Sequence, residues 1–237
     1  MQAVVGAAAL IAALYGLVTG SKKGTPLFYR IVTYAFACYA LGTVYDALRA
    51  IIIETGALPE LALSAQASAL AGAGDSSNAL LATGSAGFSI GLVGYAGMFF
   101  FLFSSYFGAL DSLADGRERA YRRYRLAALW APACVVCEAA ALSALLGPDV
   151  FTCVALVPVA ATVYFAAKHL IMPDVEMGII RVMRPYNGCV LAICLLQPLV
   201  LMGGGVPVLG IVACAATALA TLASLPLARM GVGKWFR

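Results

Sequence analysis

AGFSIGLVGYAGMFFFLFSSYFGAL, residues 86–110, runs directly into DSLADGRERAYRRYR, residues 111–125. The first stretch contains no acidic or basic residue and is 25 residues long. As a helix it is long enough to cross a hydrocarbon core ~30 Å thick, which takes roughly 20 residues. The second stretch is the most charged segment of the chain, and five of its residues are arginine. An apolar run ending in a basic block reads as a transmembrane helix held at its cytoplasmic end.

The same pattern repeats in both directions. Upstream lies an Ala-, Ser- and Gly-rich stretch, residues 54–85, too polar and too broken by glycine to span; its 59–70 part reads as a short surface helix. Before it come two apolar runs, 2–20 and 27–53, separated by Lys22 and Lys23. The first lacks the basic start of a signal peptide, and the lysines that follow it suit a retained helix entering with its N-terminus outside. Downstream, residues 126–146 form a run that stops at Gly147, Pro148 and Asp149, a turn signal. Runs 150–172, 186–202 and 206–228 follow, separated by the polar stretch 173–185 and by three glycines at 203–205. The expected architecture is an all-α bundle of about seven transmembrane helices, one domain over residues 1–237, with an outer loop at 54–85 and a cytoplasmic loop at 111–125.

Composition agrees, with 63% of residues hydrophobic and 11% charged. No soluble domain of this length presents such a balance to water, so the main solvent is lipid. The net charge of +4 comes from basic residues placed in short blocks between apolar runs, which marks topology and argues against nucleic acid. Fourteen of the fifteen lysines and arginines fall on one side of the seven-pass layout; the exception is Arg49. The positive-inside rule makes that side cytoplasmic, with the C-terminus there, and the plasma membrane is the expected location. Tyr15, Tyr29, Tyr106, Trp130, Tyr164, Tyr186 and Trp235 gather toward the same side, as interfacial anchors would.

Polar residues inside the runs are the candidate functional groups. Tyr39, Thr43, Asp46 and Arg49 recur at spacings of four, three and three, a polar stripe along one side of run 27–53. Asp46 and Arg49 can offset each other's charge. Counted at ~1.5 Å per residue from the nearest cytoplasmic arginine, Asp46 lies roughly 24 Å in, and Glu138 and Gln197 roughly 20 Å in. They can therefore share one layer, bordered by Tyr95 and Thr217. The plain reading is that these groups hydrogen-bond across helices and fix packing. The sharper one is a polar cavity, open to the outside, that binds a solute, because an ionisable group in a membrane is costly and tends to mark a site. Glu138 has no opposite charge on its own run and needs a partner, a bound cation or a proton.

Other motifs lead nowhere. Gly87, Ser89 and Gly91 match G-x-S-x-G, but the sole histidine, His169, falls at the opposite end of the membrane. One histidine also excludes a His-rich metal centre or a bis-histidine haem, and no cofactor is expected. Cys134 and Cys137 form C-x-x-C within an apolar run, among five other scattered cysteines, and read as small packing residues. Gly91, Gly94 and Gly97 share a stripe that lets a neighbouring helix approach closely. Pro158, Pro198 and Pro226 free backbone carbonyls within their helices.

Seven helices with an outside N-terminus resemble, in topology, the microbial rhodopsins, the G-protein-coupled receptors and the seven-helix sugar-efflux transporters. The rhodopsins use a Schiff-base lysine in the last helix, and run 206–228 has none. The efflux transporters carry Pro-Gln signatures, whereas Gln197 and Pro198 stand in the reverse order. The expected function is a small carrier for a polar or cationic solute, lined by Glu138, Asp46, Arg49, Gln197, Tyr39, Thr43 and Tyr95. The alternative is a seven-helix sensor signalling to a cytoplasmic protein docked on the segment from Asp111 to Arg125. A lipid-modifying enzyme ranks third, for lack of a nucleophile arrangement.

Overall fold

The computed structural model of the chain describes residues 2–54, 90–107, 121–146, 150–173, 179–202 and 207–235. They form eight helices: α1 (Gln2–Gly20), α2 (Leu27–Glu54), α3 (Ile90–Ser105), α4 (Arg122–Ala127), α5 (Trp130–Leu146), α6 (Val150–Ile171), α7 (Ile179–Met202) and α8 (Pro207–Trp235). The chain is an integral membrane protein, and its described residues are all helical apart from the turns between helices. Five stretches are long and apolar enough to cross a bilayer, and two shorter apolar helices, Val4–Gly20 and Val93–Ser105, accompany them.

One crossing is broken where the sequence reads as continuous, and begins earlier than expected. Residues 122–125 belong to α4 rather than to a loop, and α4 meets α5 at a turn over Ala128 and Leu129. Pro132 explains the break. It has no N–H to give the carbonyl four residues before it, so the Ala128 oxygen accepts instead from Ala131 N–H at 3.2 Å. Helix α7 likewise starts before the expected residue 186, at Ile179, and carries Pro185 and Pro198 inside it. Helix α8 continues past the expected residue 228 to Trp235.

The helices close into a ring. Helix α1 packs on α2 and α8, α2 on α3, α3 on α6, α6 on α7, and α7 on α8; α5 lies against α6 and α7, and little of it is buried. Some neighbours are antiparallel and others parallel. Gly6 faces Thr43 and Gly16 faces Thr33, so α1 and α2 are antiparallel, while Phe103 on Phe165 and Tyr106 on His169 make α3 and α6 parallel. The side chains left outside the ring, such as Ile11, Phe100, Val136, Val157 and Leu219, are large and apolar. They meet lipid tails, which are as apolar as themselves. Burial in the centre therefore gains little by the hydrophobic effect, and close packing and buried hydrogen bonds carry the association.

Glycine makes the closest approaches. A Cβ on Gly94 would lie 2.6 Å from the Cys38 carbonyl oxygen and 2.8 Å from Gly42 Cα, and one on Gly97 would lie 3.2 Å from Cys38 Cβ. The glycine stripe of α3 thus seats the α2 backbone directly. Gly231 plays the same part for α8 against α7, where a Cβ would lie 2.9 Å from the Val182 carbonyl.

Apart from Arg49, the basic residues described gather at one end of the bundle. Arg229 on α8 reaches Tyr15 on α1, Arg184 on α7 donates to the Met172 carbonyl beyond α6, and Lys22, Lys23 and Arg229 border one crevice. The aromatic residues at this end depart from expectation. Tyr15 and Trp130 are exposed, but Tyr29, Tyr106 and Tyr186 are buried within the bundle. The Tyr106 and Tyr186 hydroxyls sit among other polar groups of the interior, while the Tyr29 hydroxyl meets Thr19 at the basic end.

Candidate functional site

The register between helices fixes which polar residues stand at one depth. Tyr106 bonds to Asn187, which aligns α3 with α7 and brings Tyr95 level with Gln197. Val182 against Gly231 and Cys189 beside Ser224 align α7 with α8 and bring Gln197 level with Thr217. Tyr39 on α2 meets Tyr95 edge-on, with ring centroids 6.4 Å apart. Tyr39, Tyr95, Gln197 and Thr217 therefore form one layer, level within about one helical turn. Cys194, one turn from Gln197, lies within electrostatic range of Tyr95.

This layer is poorly satisfied. The Gln197 side chain is 1% exposed, and neither its amide oxygen nor its amide nitrogen has a hydrogen-bond partner. The hydroxyls of Tyr95 and Thr217 are buried and unpartnered as well. Each such group costs about 1–3 kcal/mol when denied both water and a protein partner. Four polar atoms without a protein partner thus stand on three helices at one depth. All four side chains of the layer are buried within the described bundle.

A second polar cluster lies about three turns nearer the basic end. Helix α3 widens into a π turn at Tyr106 and Phe107. Tyr106 donates to Asn187 Oδ1 at 2.9 Å, packs edge-on against His169 with centroids 5.5 Å apart, and lies 6.3 Å from the Tyr186 ring. The Tyr186 hydroxyl is close to Ser105 and Tyr106 without hydrogen-bond geometry to either. Asn187 Nδ2 has no partner. These residues are missing from the sequence reading, where Tyr106 and Tyr186 look like interfacial anchors. Asn187 gives the available signal, a strong donor and acceptor ten residues before Gln197 in the same apolar helix.

The remaining expected residues are placed as follows. Glu138 lies on α5, on the line of buried residues through Ala131, Val135 and Leu142, so it faces inward toward α6 and α7. Its Oε2 is buried and without a hydrogen-bond partner. Ser143 lies beside Cys153 at 4.0 Å, a register that sets Glu138 level with Pro158 and hence with Tyr95. The shared depth expected for Glu138 and Gln197 is present, but Glu138 approaches from α5, on the ring's flank. Thr43 packs against Gly6 of α1 and donates to the Ala40 carbonyl at 2.9 Å, so it serves the α1–α2 contact. Asp46 and Arg49 lie on α2, and their side chains fall outside the described residues, as do residues 108–120 of the charged segment and Ser89.

Among the described residues no group of His, Cys, Asp and Glu could hold a metal ion. Cys134 and Cys137 are free thiols on α5. No protein family matches the chain, and neither a curated protein nor a solved structure matches it.

Proposed function

We propose that the protein is a small membrane carrier for a polar or cationic solute, which binds in the Tyr39, Tyr95, Gln197 and Thr217 layer. The observation that carries this reading is Gln197, fully enclosed in a membrane bundle with both ends of its amide unmet. The layer offers hydroxyls, an amide and the rims of two tyrosine rings, which suit a neutral hydrogen-bonding solute or an organic cation. Glu138 at the same depth supplies the negative charge that a cation would need. In this reading Asp46 and Arg49 line the outer part of the path, and Thr43 holds α2 in place beside it. The charge distribution supports a basic end facing the cytoplasm, in the plasma membrane.

Flux assays in liposomes test the reading directly. Across a panel of amines, polyols and amino acids, the native chain should move at least one solute, and Glu138→Gln and Gln197→Leu should each lower that rate at least tenfold. Binding without flux over the whole panel would overturn the carrier and favour a sensor.

A further inference from the structure

Away from the Gln197 layer, a crevice of about 540 Å³ opens at the basic end between the α1–α2 turn and the last part of α8. Three cations border it, Lys22, Lys23 and Arg229, and none of its lining residues is acidic. Volumes of this order accommodate small ligands. Three like charges around one space repel one another, and an anion between them removes that repulsion.

The walls are built rather than merely charged. The Lys22 carbonyl accepts from both the N–H and the hydroxyl of Thr25, at 3.2 and 2.8 Å, which closes the turn bearing both lysines. Gly24, at φ +85°, supplies the left-handed residue that this turn requires. On the opposite wall Arg229 donates to the Tyr15 hydroxyl at 3.3 Å, and Tyr29 is held to Thr19 at 2.6 Å. Both arms of the crevice are thus braced by bonds within the chain, with Lys22, Lys23 and Arg229 lining one volume. Arginine and lysine together are the usual partners of phosphate. Large apolar side chains nearby, Val18, Leu27 and Met230, are exposed. They place the crevice where a bilayer's headgroups meet its tails.

We propose that this crevice is a binding site for a phosphate group, contributed either by a lipid headgroup or by a water-soluble phosphate compound. Lys22 and Lys23 approach it from one side and Arg229 from the other. The site is separate from the solute layer and does not depend on the carrier reading.

The test uses the full chain in phosphatidylcholine nanodiscs. One arm adds phosphatidic acid and counts retained lipid by native mass spectrometry; the other titrates inorganic pyrophosphate by calorimetry. At least one probe should bind once per chain. The double variant Lys22→Gln with Lys23→Gln, and separately Arg229→Gln, should weaken it at least tenfold. Lys234→Gln removes an exposed charge at the same end that does not border the crevice, and should change affinity less than twofold. Retention of phosphatidic acid alone assigns the headgroup as the source, and pyrophosphate alone assigns a soluble phosphate. Binding of neither, or an equal loss in Lys234→Gln, would overturn the site. Should Arg229→Gln fail to fold, the double lysine variant in its exposed turn decides the question.

Discussion

The Tyr106 hydroxyl donates a 2.9 Å hydrogen bond to Asn187 Oδ1 between α3 and α7, residues 81 positions apart in the chain, with both side chains fully enclosed. Tyr106→Phe removes the donor and leaves the Asn187 amide with no partner at either end. The expected loss is about 1–3 kcal/mol, the penalty for an orphaned buried acceptor. Thermal melting in detergent, with Asn187→Leu and the double variant completing a cycle, measures it. A coupling near zero would show that the bond contributes nothing to holding α3 on α7.

Gly94→Ala is expected to destabilise more than Gly97→Ala. The new methyl at 94 meets backbone, the Cys38 carbonyl at 2.6 Å, while that at 97 meets a side chain at 3.2 Å that can give way. Overpacking of this kind costs about 1–3 kcal/mol. Comparing the melting temperatures of the two variants checks the order, and equal values would place the α2–α3 contact elsewhere.

Gln197→Leu separates a packing role from a binding one. An amide that finds no partner contributes no hydrogen bond, so its apolar replacement should melt at the same temperature or higher while solute flux falls. A clear drop in melting temperature would mean that Gln197 holds the bundle together, and the layer would lose its claim as a site.

Thiol labelling reads the occlusion of the layer. Cys137 and Cys153 are exposed on the bundle's surface, whereas Cys194 is enclosed. A membrane-permeant maleimide should modify Cys153, near the start of α6, faster than Cys137, whose surface faces lipid tails, and Cys194 slowest of all, as peptide mapping would show. Solutes that open the layer should speed labelling at Cys194 selectively. Equal rates at all three would contradict the burial seen here.

Much of this fold is legible in the sequence because a bilayer leaves few options. Apolar runs of about 20 residues must be helices, and their boundaries follow from charge. The proline effects were harder to place. Pro132 breaks a helix that hydropathy joins, and Pro185 sits inside a helix where a loop is expected, because neither changes local polarity. Depth was legible too. Counting residues from the arginines puts Asp46, Glu138 and Gln197 at one level; the contact registers keep Glu138 level with Gln197 but set Asp46, seven residues beyond Tyr39 on α2, about two turns further along. Facing was not legible. Thr43 shares a side of α2 with Tyr39 in projection, yet its side chain turns to Gly6 of α1, because only the packed neighbour decides where a borderline residue points. Tyr106 and Tyr186 were misplaced for the same reason, since an aromatic residue near a helix end serves equally well as an anchor or as a buried partner.

The glycine contacts have a mechanical side. Where backbone touches backbone, as α2 touches α3 at Gly94 and α7 touches α8 at Gly231, two helices cannot slide or tilt independently without a clash. The bundle therefore divides into two stiff pairs, and Tyr95 and Gln197 belong to different ones. Between the pairs, Tyr106 bonds to Asn187 and Phe28 packs edge-on against Tyr186. In the proposed carrier, the layer opens to either face of the membrane by parting along that seam.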